Sequence, residues 1–449
     1  MEPYFAEPDP AVVQFPQHAP MRDPLCAAFS PVPHEAAACR VAILGFGTVG
    51  SSVARLITEN AASPVRLTHV FNRNVARKRA DWVSKDTRWT ECFDDVLDSD
   101  AEVVVELVGD VTASREFVRR ALEAGKHVVT ANKQLIAHEA SELLALARRH
   151  GRRLGFGAAV AGGVPVIAGI LEGLAADRLE KVTGILNGTC NYILSRMERD
   201  HVPMAEAVRE AQKLGYAEAD PSADVDGLDA RAKIAILAGV ALGVSVNPEH
   251  IVCRSITPLA PLDFEYAREL HCTIRQLSVA ELKDGHVIAH VQPALVPLES
   301  PLARVNANEN MVVATGRYGG NTVFAGPGAG GAPTAVAVLS DVMAIARGHA
   351  PAPDHAMVSL PVTSVSRQRN YLRFVVDDRP GILATLANAL AREGIDIDAV
   401  LQHPGHPKSR LPFVITTEAC EADALARAAG HFSQCDFHVE PPLCVAMVE

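Results

Sequence analysis

Arg40-Val41-Ala42-Ile43-Leu44-Gly45-Phe46-Gly47-Thr48-Val49-Gly50 is the stretch that decides the fold of the first third of this chain. Its first five residues form a short, largely apolar run of the kind buried in a parallel sheet. The run passes directly into G-x-G-x-x-G, and Ser51–Glu59 continues with helical character. A strand, a glycine turn and a helix in that order make a dinucleotide-binding unit. The first glycine permits the tight turn, and the second lets the backbone approach a pyrophosphate. The third lets helix and strand pack closely, with the helix N-terminus facing the phosphate charge. Gly45, Phe46, Gly47, Thr48, Val49 and Gly50 are therefore the candidate cofactor-binding turn.

Outward from this turn, Val65–Phe71 reads as the second strand and ends in Asn72-Arg73-Asn74. A site preferring NAD(H) usually carries an acid here for the ribose 2′-hydroxyl. This chain has none, and Arg73 stands where it can pair a 2′-phosphate, so NADP(H) is favoured over NAD(H). The competing reading makes Arg73, Arg77, Lys78 and Arg79 a solvated helix face. A strand over Glu102–Val108, a helix over Ser114–Ala124 and a strand over His127–Val129 follow. Lys133, after Thr130-Ala131-Asn132, then falls at the carboxyl end of a strand, where open α/β sheets bind ligands.

Beyond the helix Ala137–His150, the stretch 155–167 reads G-F-G-A-A-V-A-G-G-V-P-V-I, small enough to pack backbone against a ligand or ion. Gly184 to Tyr192 is a polar turn, G-I-L-N-G-T-C-N-Y, in which Asn187 can orient a small polar substrate. Cys190 has no neighbouring histidine to activate it as a nucleophile. From Gly215 to Lys233 the chain runs G-Y-A-E-A-D-P-S-A-D-V-D-G-L-D-A-R-A-K. Asp229 and Lys233 project from one helix face as i,i+4 neighbours, below a loop carrying Glu218, Asp220, Asp224 and Asp226. The following region reads as irregular until Val312–Phe324 resumes strand character. Gly326 and Gly328 then lie in a glycine-rich turn before the helix Thr334–Arg347, and such a turn can return to the cofactor.

The 449 residues carry a net charge of −11, 48% hydrophobic and 21% charged residues, and no basic run suited to nucleic acid. No apolar stretch is long enough for a membrane helix. Nine scattered cysteines without a C-x-x-C pair suggest reduced thiols and a cytoplasmic protein. His286 and His290 fall in a strand-like stretch and do not make a zinc motif. Residues 1–38 are proline-rich and aperiodic, read as a disordered tail without the pattern of a secretory signal. Residues 351–369 read as a linker. After it come a strand at Tyr371–Val376, a D-D-R-P-G turn, and a helix Ile382–Arg392. Strands near Ile395–Gln402 and Leu411–Thr417, a helix Glu421–Phe432 and a last strand near Phe437–Val448 complete a ferredoxin-like βαββαβ unit.

Together, G-F-G-T-V-G, V-V-T-A-N-K, A-G-G-V-P-V-I, N-G-T-C-N-Y and G-Y-A-E-A-D-P, in this order over roughly residues 40–347, resemble the homoserine dehydrogenases. The C-terminal unit, with D-R-P-G-I-L after its first strand, resembles an ACT domain. The resemblance implies an α/β chain with a Rossmann-like NAD(P)-binding domain over 39–155 plus part of 320–350. It also implies an α+β substrate and dimerisation domain over 156–325, and an ACT-like regulatory domain over 370–449. It implies reversible NAD(P)H-dependent reduction of aspartate 4-semialdehyde to homoserine by a homodimer or homotetramer, on the route to threonine, methionine and isoleucine. Lys233 matches the lysine proposed to handle the proton. Asp229 matches a residue that helps hold the substrate and Glu218 one that binds its amino group, with Asp224 and Asn187 as further candidate substrate-binding residues, and Lys133 matches a lysine serving cofactor and substrate. Gly157, Val160, Gly162 and Val164 match positions whose carbonyls hold Na+ or K+, although the family usually has Glu where this chain has Gly157. Asp378, Gly381, Ile382 and Leu383, in the first turn of the ACT-like unit, are the candidate regulatory residues, with threonine the expected effector. The rival readings are another Rossmann oxidoreductase for amino-acid-like substrates, or a non-catalytic amino-acid sensor.

Overall fold

The computed structural model describes residues 38–60, 64–348, 357–364 and 367–448. The expected tail, apart from Ala38, lies outside the described residues, as does much of the expected linker. Cys39–Leu44 forms β1, with every residue but Arg40 buried, and Thr48–Glu59 forms α1. Val65–Phe71 (β2), Arg88–Thr90 (β3), Val103–Glu106 (β4), His127–Thr130 (β5) and Leu154–Gly155 (β6) complete a sheet in the order β3-β2-β1-β4-β5-β6. All its pairings are parallel, which is the doubly wound dinucleotide order. Val111–Glu123 (α2) and Lys133–Arg149 (α3) are capped by Asp110 and Asn132, each side chain accepting a hydrogen bond from a first-turn N–H. The ends of β1, β4 and β5 thus present the cofactor turn and Lys133 on one edge.

A second, eleven-stranded sheet carries the rest. It begins with Leu179–Ile185 (β7), followed by Gly188–Asp200 (α4), Met204–Lys213 (α5) and Leu228–Leu242 (α6). Helix α6 is bounded by Gly227 (φ 82) and Gly243 (φ 68), and is buried over nearly its whole length after the first turns. Only its start is polar, so Asp229 and Lys233 are held by a helix with little freedom to shift. The region expected to be irregular is ordered instead. Pro261–Glu269 (α7) is followed by two twelve-residue strands, Cys272–Lys283 (β8) and His286–Pro297 (β9). These strands hid from pattern reading because both faces are covered, and Arg275, Gln276 and Ser278 are buried among apolar neighbours.

The single strand expected at Val312–Phe324 is a hairpin of Glu309–Gly316 (β10) and Gly320–Pro327 (β11), leading to Gly331–Ala346 (α8). The expected linker is not free of structure either. Val358–Ser359 pairs with Val244–Ser245, and Val362–Thr363 pairs with Val287 and Ile288. The C-terminal unit follows the expected βαββαβ order through Arg367–Val376 (β12), Ile382–Arg392 (α9), Ile397–Leu401 (β13), Leu411–Glu421 (β14), Ala422–Phe432 (α10) and His438–Met447 (β15). The large sheet runs β11-β10-β7-β8-β9-β15-β12-β14-β13. Pairing of Ala294 with Ala446 and Leu295 with Met447 joins the C-terminal unit edge to edge with the central one. No described helix is long and apolar enough to cross a membrane.

Candidate active site

At the carboxyl edge of the parallel sheet, the three motif glycines have separate roles. Gly45 has φ 94, and a Cβ there would lie 2.6 Å from the Leu107 carbonyl oxygen. A Cβ on Gly50 would lie 2.1 Å from the Gly45 oxygen, so helix and strand can approach this closely only without it. At Gly47 a Cβ would meet nothing within 4 Å; the backbone there faces open space. Gly47 is also the N-cap of α1 and supplies no side-chain cap, leaving first-turn N–H groups for an anion. The adjoining cavity of about 360 Å³ is lined by Gly45, Gly47, Arg73, Lys78, Val108 and Phe117, among others. Arg73 and Lys78 reach this cavity, while Arg77 and Arg79 are not part of its lining. The chemistry of the donor set suits a dinucleotide, with phosphate at the helix start and two cations at the ribose end.

On the same edge, Lys133 from α3 and both Asp229 and Lys233 from α6 converge. Asp229 Oδ1 lies 2.7 Å from Lys133 Nζ, and Oδ2 lies 2.6 Å from Lys233 Nζ. Burial raises the proton affinity of Asp229, but the two ammoniums overcome it and hold the carboxyl far below the usual range. Lys233 also donates to the Leu186 carbonyl at 2.7 Å, leaving its third N–H without a protein acceptor among the described residues. Asn187 caps α4 by accepting from the Cys190 N–H, and its Nδ2 donates to Asp224 at 2.6 Å and Asp229 at 3.0 Å. Asp224 behaves oppositely to Asp229: burial pushes its carboxyl up, with the Asn187 hydrogen bond opposing. Neighbouring carboxyls with divergent proton affinities are the usual mark of divided roles.

Some expected residues stand apart. Glu218 is exposed and makes no side-chain hydrogen bond or ion pair among the described residues, while Gln212 pins its loop through the Glu218 and Ala219 carbonyls. Asp220 accepts from the Ser222 N–H and hydroxyl, which is turn capping. Gly326 packs on Val164, and Gly328 leaves room only for Asn310 and Gly162. It is Gly331, at the end of the same glycine-rich turn, that lets α8 approach Thr48 and Ser52 of α1. Pattern reading also missed Leu186 and Asn310; Asn310 Nδ2 donates to the same Leu186 oxygen at 3.2 Å. A backbone acceptor leaves no signal in residue type. Asp378, Gly381, Ile382 and Leu383 line a separate cavity of about 170 Å³ with Val376 and Phe413.

The turn at Gly157 holds an acid from elsewhere. Asp341 of α8 accepts from the Gly157 N–H at 2.7 Å, and burial pushes its carboxyl up to about 6. The folded protein then keeps a proton on Asp341 that the unfolded chain releases near the ordinary value of 3.8. This group therefore favours folding most below that value, and its contribution declines as pH rises to about 6. Asp341→Asn keeps the acceptor and removes the charge. In buffer free of sodium and potassium it is expected to add roughly 1–3 kcal/mol at pH 7.5 and little at acid pH, checked by denaturant titration at both.

Comparisons with known proteins find similarity along most of the chain. Residues 45–156 match the family model described as the NAD-binding domain of homoserine dehydrogenase, residues 165–343 match homoserine dehydrogenase, and residues 370–432 match the ACT domain. The chain is 37% identical over 415 residues to homoserine dehydrogenase of Corynebacterium glutamicum, spanning 88% of this chain and 93% of that one. It is 35% identical over 402 residues to the homoserine dehydrogenase of Bacillus subtilis, spanning 86% and 93%. The crystal structure of a homoserine dehydrogenase from Thiobacillus denitrificans superimposes with a TM-score of 0.84 at 33% identity, covering 91% of this chain and 98% of that one.

Proposed function

Since this chain belongs to the homoserine dehydrogenase family, with an ACT domain at its C-terminal end, we propose that it reduces L-aspartate 4-semialdehyde reversibly to L-homoserine with NADPH. The observation that carries this reading is one largely enclosed carboxylate, Asp229, bridging Lys133 and Lys233 beside the dinucleotide edge. When bound, the dihydronicotinamide supplies the hydride to the aldehyde carbon. Lys233 meets the negative charge developing on the aldehyde oxygen with its unengaged N–H and delivers the proton there. Asp229 stays ionised and fixes both ammoniums. Asp224, Glu218 and Asn187 receive the substrate's amino-acid end, where an incoming ammonium would favour the charged form of Asp224. In the oxidative direction Lys233 takes the hydroxyl proton.

Arg73 and Lys78 support the preference for NADPH, since together they present two positive charges to a 2′-phosphate. A monovalent cation fits the turn at 157–164. Ala161 and Gly162 both have φ 55, and the Asp341 carboxylate beside Gly157 supplies charge that the turn itself lacks. Gly157, Val160, Gly162 and Val164 would offer carbonyls to it. Among the described residues the outer strand β11 leaves an unpaired edge, with Val323 exposed, which suits assembly into a homodimer or homotetramer. Unpaired cysteines throughout the described residues suit the reducing cytoplasm. Threonine is assigned to the cavity at Asp378–Leu383. One assay tests these readings: the rate of NADPH and NADH oxidation with aspartate semialdehyde, with and without millimolar threonine. Semialdehyde-dependent oxidation faster with NADPH and slowed by threonine is expected. Absence of turnover with either nucleotide would remove the enzymatic reading.

A further inference from the structure

Glu106 ends β4 with no exposed surface, yet no ion pair reaches it among the described residues. Its partners are all neutral donors. Oε1 accepts from the Val108 N–H at 2.7 Å and the Ser114 hydroxyl at 2.8 Å, and Oε2 accepts from the Thr130 hydroxyl at 2.6 Å. A buried carboxylate without a cation is costly, and it persists only where its hydrogen bonds are well made. Their direction is also fixed. The Asn132 N–H and Nδ2 can only donate to Thr130 Oγ1 and Ser114 Oγ, so each hydroxyl has its single proton free to point at the Glu106 carboxyl. Both hydroxyl oxygens are then left as acceptors, and Asn132 uses both. Its Nδ2 donates to Ser114 Oγ at 3.1 Å, and its N–H donates to Thr130 Oγ1 at 3.0 Å. The amide is thereby oriented with Oδ1 toward the Leu135 N–H, the cap of α3. Lys133 is the first residue of that helix.

We propose that Glu106 is a positioning residue: it sets the polarity of the Ser114–Thr130–Asn132 network and so aims Lys133 at Asp229, while holding Val108 at the wall of the cofactor cavity. The chain of contacts joins the two halves of the site through β4, α2, β5 and α3. Its catalytic consequence rests on the proposed role of Lys133, but its structural consequence does not. Glu106→Gln is nearly isosteric and exposes the device. The amide oxygen must face the Val108 N–H, so its NH2 meets Thr130, whose oxygen already accepts from Asn132 and whose own proton loses its acceptor.

Two measurements separate this reading from the enzymatic one. In hydrogen exchange of the whole chain, Glu106→Gln is expected to speed exchange over residues 130–136 by about tenfold or more, with peptides of the C-terminal unit unchanged. This readout needs no substrate, so it stands if the assigned reaction does not. In turnover, Glu106→Gln is expected to lower kcat/KM by about 10- to 100-fold, and the loss should largely vanish in a Lys133→Met background. Ser114→Ala, which removes one strut, should show the same pattern more weakly and serves if the Gln variant does not fold. Unchanged exchange over 130–136, or additive losses in the Lys133→Met background, would overturn the proposal.

Discussion

Lys233→Ala is expected to lower kcat for semialdehyde reduction by about 10³-fold or more, because proton delivery and stabilisation of the alkoxide are lost together. NADPH affinity should change by no more than about threefold, since no atom of Lys233 lines the dinucleotide cavity. The fold should tolerate the change. The Leu186 carbonyl keeps its bond from Asn310, and Asp229 keeps both Lys133 and Asn187. Lys233→Arg sharpens the test. It preserves the positive charge beside Asp229, but a guanidinium does not release a proton under these conditions. If charge alone were the contribution, Arg would restore much of the rate; if the proton is, Arg stays close to Ala. Steady-state kinetics with both variants, beside fluorescence titration of NADPH, decide the matter. Turnover within tenfold of the unsubstituted enzyme for Lys233→Ala would remove this residue from proton delivery.

What the sequence revealed, and what it hid, follows from how each feature is encoded. The dinucleotide unit was legible because Gly45, Gly47 and Gly50 each answer a local steric demand, and such demands leave fixed spacing. The Asp229 and Lys233 pair was legible because one helical turn joins them. Lys133 was placed by the rule for strand ends, but its contact with Asp229, 96 positions away, is not written in any local pattern. The two long strands after α6 were missed because burial on both faces erased the alternation, and some of the polar side chains inside them are held by distant partners. Arg275, for example, bonds Glu198 and the Ala303 carbonyl. Glu106 did leave a trace, as a lone acid ending the run Val103-Val104-Val105, but only the structure supplies its three donors. The C-terminal unit was readable element by element, whereas its continuity with the central sheet was not, because β9 and β15 are separated by most of the chain that follows α6.

That continuity carries the second large prediction, at a buried ion pair between the two units. Asp263 of α7 has no exposed surface and accepts from the Ala260 N–H, from Tyr371 Oη at 2.7 Å and from Arg373 Nη1 at 2.6 Å. Tyr371 and Arg373 both belong to β12, so α7 of the central unit is bolted to the first strand of the C-terminal one. Burial pushes the Asp263 carboxyl up despite the guanidinium beside it, so desolvation outweighs the attraction, as is common for enclosed pairs. The pair as a whole adds little, but removing one partner strands the other. Arg373→Met is expected to cost about 3–5 kcal/mol, because Asp263 is left charged and enclosed, or must take up a proton. Asp263→Asn combined with Arg373→Met should recover a large part of that loss, since neither charge is then buried alone. Chemical denaturation followed by two probes gives the second half of the result. With the pair intact, near-ultraviolet and far-ultraviolet signals should fall together; in Arg373→Met the C-terminal unit keeps the short pairing of Ala294 and Leu295 with β15, the apolar packing of Tyr371, Val414 and Val445 on Phe264 and Tyr266, and the His403–Glu269 contact, but with this junction weakened it should melt first. A single coincident transition with a loss below about 1 kcal/mol would show that the sheet junction, not this ion pair, holds the two units together.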